Sequence, residues 1–297
     1  MRFVTFAGPA GEPLPGIVVG EQVADLSHPG FGALMGDAPP SVLGMVEQGL
    51  ARWADRLATV TIPAAALRPL ASVRLLAPLR PGKIVGAAFN FTDALAERGM
   101  AAPKEPVTFV RSGCTVVGPG QPILIPPDVG NVGYEAELAV VIGRRALRVA
   151  PELAMRHVAG YTAHNDVSGS DLVKADGGNF VRGKNLPASS PLGPWIATPD
   201  EVPDPYALRI RLDIDGRVLQ DGTSGTMLFR IAELISYISH RMPLEPGDVI
   251  ATGTPAGVAA MHQPPAWLQP GTTVHVAVEG FGLLSNPVQR GEPFLEP

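Results

Sequence analysis

The sequence contains a single cysteine, Cys114, among 297 residues. An intramolecular disulfide is therefore excluded, and the chain suits a reducing compartment. Nothing near Cys114 in sequence lowers a thiol pKa, so a small packed residue is expected there rather than a nucleophile. Uninterrupted apolar runs are also missing. None approaches the length that spans a bilayer, and the opening Met1-Arg-Phe-Val-Thr-Phe-Ala-Gly-Pro9 alternates like a strand instead of forming a signal-peptide core. Basic charge is scarce: the net charge is -5, which leaves no electrostatic footprint for nucleic acid. The expectation is a soluble cytoplasmic protein with neither a nucleic-acid nor a membrane partner.

Glycine and proline are abundant, at 34 and 32 residues, but follow no period, so a collagen-like chain is excluded. With 45% hydrophobic residues the chain can bury a substantial core. Prolines at 69, 78 and 81 punctuate a division into a small N-terminal unit, residues 1–75, and a larger unit, residues 76–297. The first is expected to hold strands at Arg2–Phe6 and Gly16–Leu26 and a helix over Ser41–Trp53. The second reads mostly as short strands separated by Gly/Pro turns, such as Asp213-Ile-Asp-Gly216. It is interrupted by an amphipathic helix on which Ile231, Leu234, Ile235 and Ile238 share a face. Near the end Val274, Val276 and Val278 alternate as in a half-buried strand. The pattern is mixed α/β and β-dominated, a helix-decorated β roll rather than a doubly wound parallel sheet.

Chemistry concentrates in Tyr134-Glu-Ala-Glu-Leu-Ala-Val-Val-Ile142, which reads as a strand. Side chains alternate along a strand, so Glu135 and Glu137 share one face, where their repulsion needs compensation. A divalent cation supplies it, and oxygen ligands favour Mg²⁺, Mn²⁺ or Ca²⁺ over zinc. Asp166, beside Asn165 in a turn-like pair, closes a three-carboxylate set. Taken alone, Glu135 and Glu137 equally describe the wet face of an antiparallel strand.

From Lys83 to Val288 the sequence resembles the catalytic domain of the fumarylacetoacetate hydrolase family. The matching stretches are Tyr134-Glu-Ala-Glu-Leu-Ala-Val-Val-Ile-Gly143, Gly160-Tyr-Thr-Ala-His-Asn-Asp-Val-Ser168, Gly183-Lys184, Pro191-Leu-Gly-Pro-Trp195 and Leu244-Glu-Pro-Gly-Asp-Val-Ile-Ala-Thr-Gly-Thr-Pro-Ala-Gly-Val258, in the family's order. The resemblance implies a mixed β-sandwich roll behind a small N-terminal α+β domain, a homodimer, and Mg²⁺ (or Mn²⁺ or Ca²⁺) held by Glu135, Glu137 and Asp166. It also implies a 2-oxo or 1,3-diketo acid substrate. The expected reaction is C–C bond hydrolysis through a metal-stabilised enolate. Decarboxylation, tautomerisation and a metal-binding scaffold without catalysis are the alternatives.

The resemblance also exposes departures. The family's acid/base segment, Asn-Tyr-x-x-His-x-x-Glu, reads Asn90-Phe-Thr-Asp-Ala94-Leu-Ala-Glu97, so the glutamate is kept as Glu97 and the histidine is replaced by Ala94. An arginine and a glutamine that contact substrate in the family are replaced by Ser170 and Val173, and the lost arginine clamp makes a distal acid group less expected. By position, Glu97 and Lys184 are the catalytic candidates, with Thr254, Arg111 and Ser170 binding substrate. For Arg111 the plainer alternative is that it ends a strand. His164 either supplies the acid/base function missing at Ala94 or points away from the metal by strand alternation; the second is the expectation. His157, His240, His262 and His275 lack metal-ligand spacing and are expected to be structural or exposed.

Overall fold

A computed structural model describes residues 1–35 and 40–294, so the last three residues of the larger unit lie outside it. The architecture is mixed and sheet-dominated, as the sequence pattern implies. The principal sheet has twelve strands. From one edge its path runs through Leu67–Pro69, Gln22–Asp25, Pro13–Val19, Arg2–Ala7, Ser190–Ala197, Val158–Asn165, Ala136–Ile142, Val249–Ala251, Lys83–Ala88 and Val107–Ser112, with two short strands joining its sides. Most pairings are antiparallel, but Val249–Ala251 runs parallel to Lys83–Ala88. A five-stranded sheet packs against one face, ordered Arg217–Thr223, Arg209–Ile214, Thr273–Val278, Leu283–Arg290 and Ile123–Ile125.

The period of two decides which side chains meet which layer. On the central strand Ala136–Ile142 every residue is buried. Its Leu138 and Val140 enter the core shared with Ile210, Leu212, Val274, Val276 and Val278 of the second sheet. Ala139 and Val141 face the other way, into a core closed by Met45, Val46, Leu50, Trp53 and Leu57. Those five belong to the helix Val42–Ala58, capped by Ser41, whose hydroxyl accepts from Gly44 N at 3.1 Å. The helix runs five residues past the expected end at Trp53 because Leu57 still has a core to enter.

Residues 16–26 form a hairpin rather than one strand. Pro13–Val19 pairs with Gln22–Asp25 across a turn where Gly20 adopts φ +58°, a backbone that glycine reaches without a Cβ clash. Asp215 and Gly216, both at positive φ, close the Arg209–Ile214/Arg217–Thr223 hairpin as expected. The amphipathic helix spans Ile231–Ser239 and buries Ile231, Leu234, Ile235 and Ile238, while the Glu233 carboxylate accepts from Arg230 N at 2.8 Å. No helix among the described residues is long and apolar enough to cross a membrane.

Candidate active site

The two central strands Ala136–Ile142 and Val158–Asn165 pair with Ala136 opposite Asn165 and Glu137 opposite His164. Glu135 just precedes the first strand and Asp166 just follows the second, so this register brings all three carboxylates to one end of the pair. One oxygen from each lies within 4.8 Å of the others. Two further bonds fix this end: Asn165 Oδ1 accepts from Glu135 N at 3.1 Å, and Asp166 N donates to Glu135 O at 2.9 Å.

Two cations hold the cluster together. Lys184 Nζ donates to Glu135 Oε2 at 2.7 Å and to Asp166 Oδ2 at 2.8 Å, and lies 4.9 Å from the centroid of the Phe109 ring. Arg111 pairs through Nη1 with Asp166 Oδ1, and its Nη2 donates to both the carbonyl and the hydroxyl of Ser189 at 2.7 Å. Burial favours neutral Asp166, but Lys184 and Arg111 prevail and hold its carboxyl below the usual range. Lys184 is kept charged against the same burial by Asp166 and then Glu135. Glu137 fares differently. Burial, then Asp166 and Glu135, push it well above the ordinary carboxylate range, against Lys184 and the Gly253 N–H that donates to it at 3.1 Å. Three carboxylates thus share two cations, and the least compensated of them is Glu137.

Beside the cluster opens a cavity of about 380 Å³. Glu135, Glu137, Lys184, Thr254, Ser168 and Ser170 supply its polar wall. Phe109, Phe180, Val173, Met261 and Trp267 supply apolar surface, and the helix Thr92–Glu97 with its C-cap adds Ala94, Leu95 and Arg98. Thr254 and Ser170 therefore sit where substrate would be met. The Thr254 hydroxyl already donates to Ala136 O and accepts from Gln220 Nε2, both at 2.8 Å.

Several expectations need correction. Arg111 does not line the cavity. It is fully buried, and its side chain is bonded to the Asp166 carboxylate and to Ser189. Glu97 also lies outside the lining, because its two carboxylate oxygens accept from Gly257 N at 3.2 and 2.9 Å and tie the helix to that loop. His164 does not point away from the acidic cluster. Pairing opposite Glu137 puts its Nδ1 4.0 Å from Glu137 Oε2, where burial lowers its pKa to about 3 and neither ring nitrogen has a hydrogen-bond partner among the described residues. It is nonetheless absent from the cavity wall. Cys114 is exposed rather than packed.

Sequence reasoning missed Gln220. Fully buried, it comes from the second sheet, accepts from Ala136 N at 2.9 Å and donates to Thr254 Oγ1 and Pro255 O. No local signal marks it, since its partners lie at least 34 positions away. Asn90 proves to be a brace: its amide donates to Thr252 O at 2.8 Å and Phe229 O at 3.1 Å and accepts from Phe229 N at 2.8 Å. That brace holds the preceding Phe89 at φ +58°, which is strained for a bulky residue, on the cavity wall.

With this geometry in view, the comparisons agree. The family model for the C-terminal domain of fumarylacetoacetate (FAA) hydrolase matches residues 83–289. The chain belongs to the fumarylacetoacetate hydrolase family. It is 37% identical over 254 residues to the mitochondrial oxaloacetate tautomerase FAHD2A of Homo sapiens, covering 84% of this chain and 80% of that one. Among solved structures, it is similar to 2-hydroxyhepta-2,4-diene-1,7-dioate isomerase from Mycobacterium marinum (TM-score 0.76, 33% identity, 98% of both chains). It is also similar to maleylpyruvate hydrolase from Sphingobium sp. SYK-6 in complex with manganese(II) and pyruvate (TM-score 0.78, 28% identity, 98% of this chain and all of that one).

Proposed function

We propose that this protein is a divalent-cation-dependent enzyme that takes a small 2-oxo acid through its enolate, with keto–enol tautomerisation as its reaction. The observation that carries this reading is a cavity whose wall holds Glu135 and Glu137 of the acidic cluster and a charged lysine, but no imidazole and no other carboxylate among the described residues. Hydrolysis requires a base to activate water, and Glu97, the candidate that the family motif offers by position, is bonded to Gly257 N. Tautomerisation needs no activated water: in the enol-to-keto direction the enol oxygen releases its proton to solvent, and the charged Lys184 at the wall can deliver one to the neighbouring carbon and be reprotonated.

The cluster suits Mg²⁺, with Mn²⁺ or Ca²⁺ as substitutes: its donors are all hard oxygens, and Glu137 has no lysine or arginine ion pair among the described residues. Glu135, Glu137 and Asp166 would hold the ion. When bound, it supplies Lewis acidity that stabilises negative charge on the 2-oxo oxygen. Lys184, held protonated by Asp166 and Glu135, presents N–H groups to the same region and is the proton-bearing side chain there. Thr254 and Ser170 orient the acid, and the aromatic wall of Phe109, Phe180 and Trp267 excludes water from it. The similarity to an oxaloacetate tautomerase and to a dioate isomerase supports this choice of reaction.

C–C bond hydrolysis is the second reading, favoured by one observation: Ala94 lines the cavity three residues before Glu97 on the same helix. The same proposal makes the protein a cytoplasmic homodimer without nucleic-acid partners, which light scattering on purified protein checks for assembly.

The test begins with thermal unfolding in Mg²⁺, with and without oxalate, a planar mimic of the enolate. A midpoint that rises with oxalate only when Mg²⁺ is present is expected, because a ligand that binds the folded state raises its apparent stability. No shift with either would reject the metal site. Ala94→His then separates the reactions. An unchanged tautomerisation rate on oxaloacetate, together with about a 100-fold gain in acylpyruvate cleavage, is the expected size for a general base restored to a hydrolytic site. If the wild type already cleaves acylpyruvates and does not tautomerise oxaloacetate, hydrolysis takes first place.

A further inference from the structure

Arg98 is the cation in this cavity that the acidic cluster does not use. It caps the C-terminus of the helix Thr92–Glu97, lines the cavity and is half-buried. Its guanidinium carbon lies 5.8 Å from the centroid of the Phe89 ring, and its side chain has neither an ion-pair nor a hydrogen-bond partner among the described residues. The other positive charges near the cavity are committed. Lys184 is shared between Glu135 and Asp166, and Arg111 is fully buried and paired to Asp166 and Ser189. Ala94 and Leu95 on its own helix and Phe89, on whose ring it rests, add apolar surface to the same cavity wall.

A guanidinium in such a place has lost part of its water without gaining an anion. It offers a planar fork of donors that matches a carboxylate in two parallel bonds. The apolar surroundings strengthen any charge pair formed there relative to one in bulk water. Phe89, held at φ +58° by the Asn90 brace, supplies the aromatic face against which the guanidinium rests, so the cation is placed by the fold and not left to roam as a surface arginine.

We infer that Arg98 is a specificity-determining residue: it recognises a second carboxylate on the substrate's carbon chain, while the acidic cluster and Lys184 handle the 2-oxo acid end. This rests on the enolate reading of the site and deepens it by naming the substrate's other end. It also reverses the expectation drawn from Ser170 that a distal acid group would find no clamp, since the clamp stands on a different element. The plainer role for Arg98 is to complement the partial negative charge at the helix C-terminus. In that role it would contribute a little stability and no discrimination between substrates.

The experiment compares wild type, Arg98→Gln and Arg98→Lys in Mg²⁺ with three ligands. Oxalate has no distal arm, pyruvate has a neutral methyl arm, and oxaloacetate carries a carboxylate on the same carbon. Oxalate binding is read by thermal shift, pyruvate as a competitive inhibitor, and oxaloacetate by its KM and kcat. The expected result is a 10- to 100-fold rise in the oxaloacetate KM for Arg98→Gln, the size of a lost charge-assisted hydrogen-bonded pair. Oxalate and pyruvate binding should stay within about 2-fold, and Arg98→Lys should recover part of the loss, because a lysine keeps the charge without the fork. The inference is overturned if oxalate still binds but the oxaloacetate KM is unmoved, or if all three ligands weaken together. Failure of oxalate to bind wild type would instead overturn the enolate reading, and this inference with it.

Discussion

Lys184 gives the acidic cluster its cohesion, because its ammonium group is the one that touches two of the three carboxylates. It is almost fully buried, and its partners Glu135 and Asp166 have few other ways to shed their charge. Replacing it with the similarly shaped but neutral methionine leaves Glu135 with no cation and Asp166 with Arg111 alone. Removing one partner of a buried ion pair costs about 3–5 kcal/mol, since the orphaned charge stays desolvated. Lys184→Met should therefore lower the unfolding free energy of the metal-free protein by roughly 3 kcal/mol, measured by urea denaturation in EDTA. Mg²⁺ should restore part of it by supplying positive charge to the same carboxylates, while turnover stays lost. A variant as stable as wild type in EDTA would mean that the three carboxylates accommodate each other without the lysine. The same residue scale explains why Glu135, Glu137, Asp166 and Lys184 were legible in the sequence. Strand periodicity puts the two glutamates on one face, and motif order places the other two. Arg111 and Glu97 lie off the cavity wall because position in a motif does not say what a long side chain finds when it folds back. Arg111 found Asp166 and Ser189; Glu97 found the Gly257 amide.

Among the elements, the helix Val42–Ala58 departs most from what its sequence suggests. Its apolar spacing and the Ser41 cap are those of a continuous amphipathic helix, yet Gly49 sits inside it at φ +101° and ψ 96° and breaks the regular backbone. The break lets both halves keep apolar side chains on the sheet: Met45 and Val46 before it, Leu50, Trp53 and Leu57 after it. In a regular helix interior Gly→Ala stabilises by about 1 kcal/mol. Here the sign should reverse. A Cβ on Gly49 would have room, its nearest neighbour being 3.9 Å away on Arg52, so the cost is conformational rather than steric. Gly49→Ala should destabilise by about 1 kcal/mol or more, as such substitutions do where φ is positive. Chemical denaturation checks it, and a gain in stability would show that the helix straightens without losing its contacts. The start of this helix was readable from Ser41 and its end nearly so; the break was not, because a single glycine in a helical pattern carries no sign of its φ. The hairpin within residues 16–26 was missed for the same kind of reason: Gly20 and Glu21 look like a pause in one apolar run. The alternations at Val274, Val276 and Val278 and at Ile231–Ile238 were read correctly, since burial on one side leaves a period that no single residue can disguise.

At the scale of the whole molecule, the first strands of the chain and strands from its middle share one sheet, and its central strands carry the site. Arg2–Ala7 pairs with Ser190–Ala197, which pairs with Val158–Asn165, the strand that delivers Asp166. This continuity means that damage to the middle of the sheet is felt as global instability and not as local fraying. Tyr161 stands at that centre, 2% exposed, and burial, followed by the neighbouring Tyr206, raises its pKa to about 12 from an ordinary 10. The folded state therefore keeps the phenol proton at pH values where the unfolded chain has released it. Because the folded pKa is the higher one, the stability tied to this proton is fully present below pH 10 and is lost as pH rises through 12. At 1.36 kcal/mol for each unit, and with the unfolded phenol only half ionised at pH 10, about 1.5 kcal/mol should disappear between pH 10 and 11.5 from this residue alone. Tyr161→Phe has no proton to lose, so its urea-unfolding free energy should fall by that much less over the same interval, with the two proteins differing little in slope below pH 9. Parallel curves from pH 9 to 11.5 would show that Tyr161 ionises in place at no cost, and hence that the centre of the sheet admits water and charge more freely than its close packing implies.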